Sequence, residues 1–446
     1  MTRGLTLLCF VVTAIILGST GASSKVFPYK VNEVVLDNGL KVVSIPYDSP
    51  GLIAYYTVVR VGSRNEVEPG RSGFAHFFEH MMFRGTEKYP SDTYDQILQS
   101  YGIDDNAFTS DDYTCYHLVG TKDALETIID LESDRFKNLK YSEEAFRKEA
   151  GAVLGEYNMN SSSPFMMMFE KLHDLAYTTH TYKHTTIGFL EDIEKMPTMY
   201  DYSLTFHDRY YRPENCVIVV VGDFDENNLM RLIKQYYGDW GRRDYEVDIP
   251  VEPPQTEEKT GQIVWENPTM PILLVGYHAP AYSDRQIDMP ALDLMSQLVF
   301  SSSSPLYQKL VVEKAVVEFV SGGCGDHRDP PLFTIITRIK DEKDIDSVRE
   351  EISAAIEEAK TTAVSEERLA EIKSHMKYTF AMGLDTPGSI ARTMAHYLQM
   401  TADYETVNRV YNLYDRVTPH DLMDVARKYF GPQNRTVVTL TYGGEK

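Results

Sequence analysis

The pattern of apolar and polar positions near the amino end predicts a β-hairpin followed by a strand and a helix. In VNEVVLDNGLKVVSIP, Asn38 and Gly39 separate two apolar-rich runs, which is the strongest short hairpin signal because both positions tolerate positive φ. The run IAYYTVVRVGS predicts a further strand. The segment GFAHFFEHMMFRG, from Gly73 to Gly85, then predicts a helix.

Two segments far apart in the chain repeat one pattern. YYRPENCVIVVVGDF and YFGPQNRTVVTLTYG each carry an aromatic residue, x-Pro-x-Asn and a valine-rich strand, and each follows a helical stretch. Pro432 lies 219 positions after Pro213, about half of the mature chain, which suggests a duplicated domain. Strands alternate with helices in each half, while the hairpin signal favours an antiparallel or mixed sheet. We therefore predict an α+β protein of two homologous domains, each a mostly antiparallel or mixed sheet packed with helices.

The domain boundaries are predicted from length and from one polar stretch. A chain of 446 residues is too long for one ordinary core. The stretch DYEVDIPVEPPQTEEKTG is acidic and proline-rich, as inter-domain linkers are. We place the first domain at 25–240, the linker at 241–260 and the second domain at 261–446.

The first 24 residues have the pattern of a signal peptide. A positive start, MTR, precedes the apolar run LTLLCFVVTAIILG, which is too short to span a bilayer comfortably. The small residues of STGASS suit cleavage near Ala22 or Ser24. We expect an exported protein, periplasmic if bacterial; an uncleaved anchor is the alternative.

Charge and cysteine content exclude several classes of protein. A formal net charge of −22 argues against nucleic acid or an anionic membrane as partner, because both favour a basic surface. Of the four cysteines, one lies in the predicted signal peptide. The remaining Cys115, Cys216 and Cys324 are too few and too widely spaced for a disulfide scaffold.

The predicted helix contains the motif His76-x-x-Glu79-His80, which points to a metal. If Ser72 caps this helix and Gly85 ends it, the two imidazoles lie one turn apart on one face, with a spacing that suits one ion. Glu79 borders the same face. Burying two histidines and an acid together is costly without a partner, so a zinc site is favoured over a chance motif.

A third ligand is expected from the helix predicted for SEEAFRKEAGAVLGEYNMN, which starts near Ser142. Glu149 and Glu156 are seven residues apart and therefore share a face. Gly151 and Gly155 each cost the helix ~1 kcal/mol relative to alanine, which suggests close approach to a neighbour such as the metal helix. That the two acids are simply solvated remains open from spacing alone.

Together these segments resemble the pitrilysin/insulinase family of zinc peptidases, which includes insulin-degrading enzyme and the mitochondrial processing peptidases. The order His-x-x-Glu-His is the inverted zincin motif. The blocks LDNGLKVV, NAFTSDDYTCYH, KEAGAVLGE and HTTIGFLEDI extend the likeness over most of the mature chain. The resemblance implies a fold like one half of the clamshell of the processing peptidases.

The resemblance also implies roles for five residues of the site. It gives His76, His80 and Glu156 as zinc ligands and Glu79 as the general base. Glu149 becomes a residue of the catalytic site that is not a ligand and helps to orient it. Zinc is the implied cofactor.

In the block NAFT, Asn106 and Ala107 match the edge-strand positions with which the family binds the substrate main chain. Thr109 and Asp112 are interpreted as structural. The implied function is a zinc-dependent endopeptidase, which hydrolyses peptides or small unfolded proteins held as an extended strand in an enclosed chamber.

The sequence departs from the family in its second half. Family enzymes place an arginine and a tyrosine there, seven apart, to hold the substrate carbonyl, whereas the block LYQKLVVEKAVVEFVSGG aligns Val311 and Glu318 with them. Neither side chain can donate a hydrogen bond at neutral pH. We therefore expect a related subunit to supply the pair in a heterodimer. A homodimer, or another donor such as Lys309, is the alternative, as is a non-catalytic peptide-binding or assembly subunit of the same fold.

Overall fold

The computed structural model describes residues 25–443. The predicted signal peptide lies outside these residues, so export and a periplasmic location stay predictions. No helix within 25–443 is long and apolar enough to cross a membrane. Cys115, Cys216 and Cys324 are all free thiols.

Eleven strands within the described residues form two sheets, and they are β1 (Asn32–Val35), β2 (Lys41–Pro46), β3 (Leu52–Val59), β4 (Asp104–Thr109), β5 (Thr114–Thr121), β6 (Cys216–Gly222), β7 (Lys259–Trp265), β8 (Ile272–His278), β9 (Val317–Gly323), β10 (Leu332–Ile339) and β11 (Arg435–Tyr442). The helices of the same part of the chain are α1 (Phe74–Met81), α2 (Ser91–Tyr101), α3 (Leu125–Asn138), α4 (Glu143–Asn160), α5 (Pro164–Ala176), α6 (Leu190–Lys195), α7 (Tyr200–Tyr210), α8 (Glu226–Tyr237), α9 (Asp288–Phe300), α10 (Pro305–Tyr307), α11 (Ile345–Thr361), α12 (Glu366–Met382), α13 (Pro387–Thr401), α14 (Thr406–Arg416) and α15 (Pro419–Tyr429).

The two sheets share one topology apart from β1, an additional edge strand of the first sheet. The first has the order β1-β2-β6-β3-β5-β4 and the second β7-β11-β8-β10-β9. In each sheet one pair is parallel, β2 with β6 and β7 with β11, and the other pairs are antiparallel. The predicted α+β architecture of two homologous mixed sheets packed with helices is therefore confirmed, while the boundaries at 240 and 260 stay predictions.

The repeated x-Pro-x-Asn segments have the same structural role in both halves. Each forms a short 3₁₀ turn, Pro213–Asn215 and Pro432–Asn434, directly before the central strand β6 or β11. The asparagine amide then donates to the carbonyl of the last residue of the preceding helix, over 2.9 Å from Asn215 and 2.8 Å from Asn434. This bond fixes the angle at which the helix leads into the central strand.

Two helices cross between the halves. α5 comes from the first half of the chain but packs on β7, β8 and β11 of the second sheet. α13 comes from the second half and packs on β3 and β6 of the first sheet. Gly276 of β8 makes room for α5, since a Cβ there would lie 3.2 Å from Leu172. Each half therefore completes the core of the other.

Replacing Leu172 by alanine should destabilise the whole chain. The side chain is fully buried between α5 and the second sheet, so its loss leaves a cavity that costs about 2–5 kcal/mol. Denaturant unfolding of the variant measures the loss. The matched control is Leu204→Ala on α7, where 45% of the leucine is already exposed, and it should change the free energy of unfolding by about 0.5 kcal/mol or less. Equal effects of the two substitutions would contradict the crossing of α5.

Candidate metal centre

Helix α1 divides its side chains between a buried face and an open one. Phe74, Phe77, Phe78 and Met81 are fully buried, and the three residues of the motif are only partly buried. The phenylalanine rings pack on other rings of the first half: Phe77 lies 5.0 Å from Phe146, and Phe78 stacks 5.3 Å from Phe206. The apolar face thus fixes the rotation of the helix about its axis.

The amino end of α1 is capped in a way that the sequence did not predict. The expected cap Ser72 is wrong: its hydroxyl instead donates to Asp192 over 2.6 Å, and Gly73 is the residue that precedes the helix. Gly73 has φ of 90°, and a Cβ there would lie 2.5 Å from a carbonyl oxygen. The amide of Gly73 and the first-turn amide of Ala75 donate to Glu66, over 2.7 and 2.6 Å.

Glu66 is therefore a structural residue of the site that sequence reasoning missed. Burial raises the pKa of Glu66 to about 8, although the two amide hydrogen bonds act in the opposite direction. No local pattern could reveal the contact, because Glu66 lies outside the helix. The other end of α1 agrees with the prediction: the helix runs into a turn, Met82–Arg84, and stops at Gly85 with φ of 83°.

His76, His80 and Glu156 converge on one point. One ligand atom from each lies within 4.8 Å of the other two, and this is the one such group of three found within residues 25–443. Glu156 Oε2 lies 3.6 Å from Nε2 of His76 and 3.4 Å from Nε2 of His80. A tetrahedral zinc with bonds of about 2.1 Å separates neighbouring ligand atoms by about 3.4 Å. The three side chains therefore fit the ion that their types predict.

The two histidines differ in what holds them. Burial, together with the charge of His80, lowers the pKa of His76 to about 4, which keeps its imidazole neutral as a ligand must be. Its Nδ1 is buried and has no hydrogen-bond partner within the described residues, so packing alone orients the ring. The pKa of His80 is raised, first by its hydrogen bond to Glu149.

Glu149 lies behind His80 rather than at the ligand position. Its Oε1 lies 2.9 Å from Nδ1 of His80, and its Oε2 lies 2.6 Å from Nε of Arg84. Burial alone would raise the pKa of Glu149, but the hydrogen bonds from His80 and Arg84 hold it below its ordinary value. With the Nδ1 proton directed to this carboxylate, the Nε2 lone pair of His80 faces Glu156 and is free for a metal.

Helix α4 carries both acids and begins where the sequence predicts. Ser142 is its N-cap, with the hydroxyl accepting from the amide of Ala145 over 3.1 Å. The explanation of the two glycines is wrong, however. Nothing lies within 4 Å of a Cβ built on Gly151 or Gly155, and both are exposed. They do not allow α1 to approach, and nothing else in the structure explains them.

Glu79 is held by a residue that the sequence assigned only a structural role. Thr109 Oγ1 donates to Glu79 Oε2 over 2.7 Å. Burial raises the pKa of Glu79, and this hydrogen bond and the charge of His80 oppose the rise. The interpretation of Asp112 as structural agrees with its contacts, since it is buried and accepts from Tyr182 and from the amide of Arg328.

Asn106 and Ala107 lie on β4, at the edge of the first sheet. β4 pairs with β5 on one side and with no other strand of the described chain on the other. The amide of Ala107 donates over 2.8 Å to the side-chain oxygen of Asn106. β4 also contacts α1, and the binding of a substrate main chain at Asn106 and Ala107 stays a prediction.

The two positions aligned with the family's arginine and tyrosine, Val311 and Glu318, and the alternative donor Lys309 all belong to the second half. Val311 packs against the core, Glu318 pairs with Arg338 over 3.2 Å, and Lys309 pairs with Glu351 over 2.5 Å. Lys309 is therefore already engaged. No hydrogen bond or ion pair within the described residues joins any of the three to His76, Glu79 or His80.

The fold and the metal-fitting triad define a two-sheet chain of the zinc-peptidase type, and comparison with known proteins agrees. Residues 48–188 match the model described as Insulinase (Peptidase family M16), and residues 200–376 match the Peptidase M16 inactive domain. The chain belongs to this family.

Individual relatives support the same assignment. Zinc protease PqqE of Helicobacter pylori is 29% identical over 437 residues, covering 96% of this chain and 97% of the relative. The mitochondrial-processing peptidase subunit beta of Rattus norvegicus is 30% identical over 224 residues, covering 49% of this chain and 44% of the relative. The crystal structure of a protease from Helicobacter pylori superposes with a TM-score of 0.86 at 29% identity, covering 93% of this chain and 99% of that one.

Replacing Glu149 by glutamine should weaken zinc binding about tenfold to a hundredfold, because a carboxylate behind a ligating histidine orients the ring and strengthens it as a ligand. Competition with a chromophoric chelator measures the affinity. Glu143→Gln is the matched control, since Glu143 lies on the same helix, is exposed and, among residues 25–443, forms an ion pair with the exposed Arg147 alone. Unchanged affinity in the Glu149 variant, or an equal loss in the control, would contradict the role of Glu149.

Proposed function

We propose that this chain is a zinc-dependent endopeptidase subunit that hydrolyses peptides bound as an extended strand. One observation carries the proposal: Glu79 lies on the same helix face as two of the three converging ligands, and it is hydrogen-bonded to the edge strand β4. His76, His80 and Glu156 would hold the ion. The names of the relatives, which include several zinc proteases, support zinc as the metal.

Glu79 supplies the acid–base chemistry. When bound, zinc would supply a Lewis acid that polarises the scissile carbonyl and makes water more acidic. Glu79 accepts a proton from the attacking water as the new C–O bond forms, and it returns that proton to the amine nitrogen as the C–N bond breaks. Burial makes its carboxylate a stronger base than an exposed one, because the pKa is raised.

The substrate adds as a strand to the free edge of β4. Main-chain hydrogen bonds at such an edge bind any extended sequence, so selection rests on size and access rather than on a fixed motif. In the free protein the Ala107 amide donates a hydrogen bond to the side-chain oxygen of Asn106. Substrate binding displaces this side chain, which then becomes free to bond the substrate main chain.

A second, related subunit completes the site. The aligned positions Val311 and Glu318 cannot donate to a carbonyl oxygen, and Glu318 already pairs with Arg338. Donors that stabilise the developing oxyanion are often worth a factor of 10²–10³ in rate, so their absence would leave the chain alone nearly inactive. We propose a heterodimer in which the partner provides an arginine and a tyrosine, around a chamber that encloses the peptide.

Replacing Glu79 by glutamine should abolish hydrolysis and leave the metal in place. Loss of a general base lowers the rate by about 10²–10⁴, while none of the three ligands is altered. Cleavage of a fluorogenic peptide by the assembled enzyme and zinc content by atomic emission are the two measurements. Glu87→Gln, at a side chain that is 82% exposed, is the control and should leave both unchanged. A Glu79 variant that retains a tenth of the rate would contradict the assignment.

The partner is tested by assaying the mature chain alone and together with a related subunit that carries the arginine and tyrosine. We expect no cleavage from the chain alone and chelator-sensitive cleavage from the mixture. Full activity of the isolated chain would refute the shared site. Zinc binding without cleavage in either preparation would refute the peptidase and favour the alternative of a peptide-binding or assembly subunit.

A further inference from the structure

Thr109 connects the acidic residue of the metal helix to the strand at the sheet edge. It is the last residue of β4, two positions after Ala107, and side chains two apart on a strand point to the same side. That side faces α1, and the Thr109 hydroxyl donates to Glu79 Oε2 over 2.7 Å. This hydrogen bond links the Glu79 carboxylate directly to the edge strand.

The hydroxyl is held in place by a rigid hairpin. Thr109 pairs with Thr114 across the β4–β5 turn, and Thr114 in turn donates to the carbonyl of Val61 over 3.0 Å. The turn is closed by a bond of 2.9 Å from the amide of Ser110 to the carbonyl of Tyr113. Because threonine is branched at Cβ, its χ1 angle has few choices, which limits the position of Oγ1.

The turn is also anchored to the second half of the chain. Asp112 accepts from the amide of Arg328 over 2.9 Å and from the Tyr182 hydroxyl over 2.7 Å. The backbone of Arg64 donates to the carbonyl of Asp111 over 2.8 Å. The strand end that carries Thr109 is therefore fixed from both halves, whereas the Glu79 side chain is only partly buried and has several rotamers to choose from.

We propose that Thr109 is a positioning residue for Glu79, which it orients by binding Oε2 so that Oε1 is the oxygen that takes the proton. The role rests on the proposed peptidase function. It also connects substrate binding with the base, because the strand that receives the peptide ends in the residue that holds Glu79. A substrate that pairs with β4 is thereby aligned to the same hydroxyl that aligns the carboxylate.

The test compares Thr109→Val and Thr109→Ser in the assembled, zinc-loaded enzyme. Valine keeps the shape and removes the donor, so kcat should fall about tenfold or more while KM changes less than twofold. Serine keeps the donor and should restore kcat to within about threefold of the unchanged protein. Thr57→Val is the matched control: this threonine of β3 is fully buried, and its hydroxyl has no partner within the described residues, so kcat should not change.

Each other outcome overturns the proposal. Equal losses in the valine and serine variants would mean that the hydroxyl is not what matters. A rise in KM at constant kcat would make Thr109 a substrate contact. Loss of bound zinc or of thermal stability in the valine variant beyond that of the Thr57 control would make its role structural.

A second readout separates this proposal from the proposed function. Crystal structures of the zinc-loaded protein and of its Thr109→Val variant show whether the Glu79 carboxylate moves, even if no preparation cleaves a peptide. A carboxylate that keeps its position in the variant refutes positioning by Thr109. A displaced carboxylate in a protein that cleaves nothing supports the positioning role and refutes only the peptidase function.

Discussion

The site depends on the division of helix α1 into two faces. Phe74, Phe77, Phe78 and Met81 are buried, and burial of each such side chain contributes about 1.5–3 kcal/mol. Turning the helix by one residue would expose the phenylalanine rings and bury the imidazoles. It would lose the free energy of apolar burial and add the cost of burying polar groups. The apolar face therefore fixes the direction of the three polar side chains, and the spacing of the motif works only because the aromatic residues between its members enforce that rotation.

Two buried carboxylates then support the helix in different ways. Glu66 binds backbone amides at the amino end, with His184 Nε2 3.7 Å from its Oε2, and burial raises the pKa of Glu66 to about 8. Glu149 lies between His80 and Arg84, and their hydrogen bonds outweigh burial, so its pKa is lowered. The first acid fixes where the helix starts. The second, Glu149, orients the ring of His80, and the hydrogen bonds from His80 and Arg84 stabilise its negative charge.

What the sequence could predict followed from periodicity and from local chemistry. The duplication, the start of α4 at Ser142 and the common direction of His76, Glu79 and His80 all follow from spacing within one element. The wrong cap at Ser72 and the missed Glu66 share a cause, since the helix end is satisfied by a side chain outside the local pattern. Thr109 was underestimated because its contact with Glu79 joins elements 30 residues apart. Its place in NAFT, on the same side as Ala107, was the one available signal.

The crossing of α5 and α13 bears on where the missing carbonyl donors can come from. Each helix packs on the sheet of the other half, so both sheets share one continuous set of contacts. β9 has the same place in the second sheet that β4 has in the first, and it carries Glu318. Since that edge is tied into the same packed unit, it cannot move across to face α1 without breaking the cores of both halves. The packing therefore agrees with the proposal that a partner subunit supplies the carbonyl donors, because the edge strand of this chain stays with its own sheet.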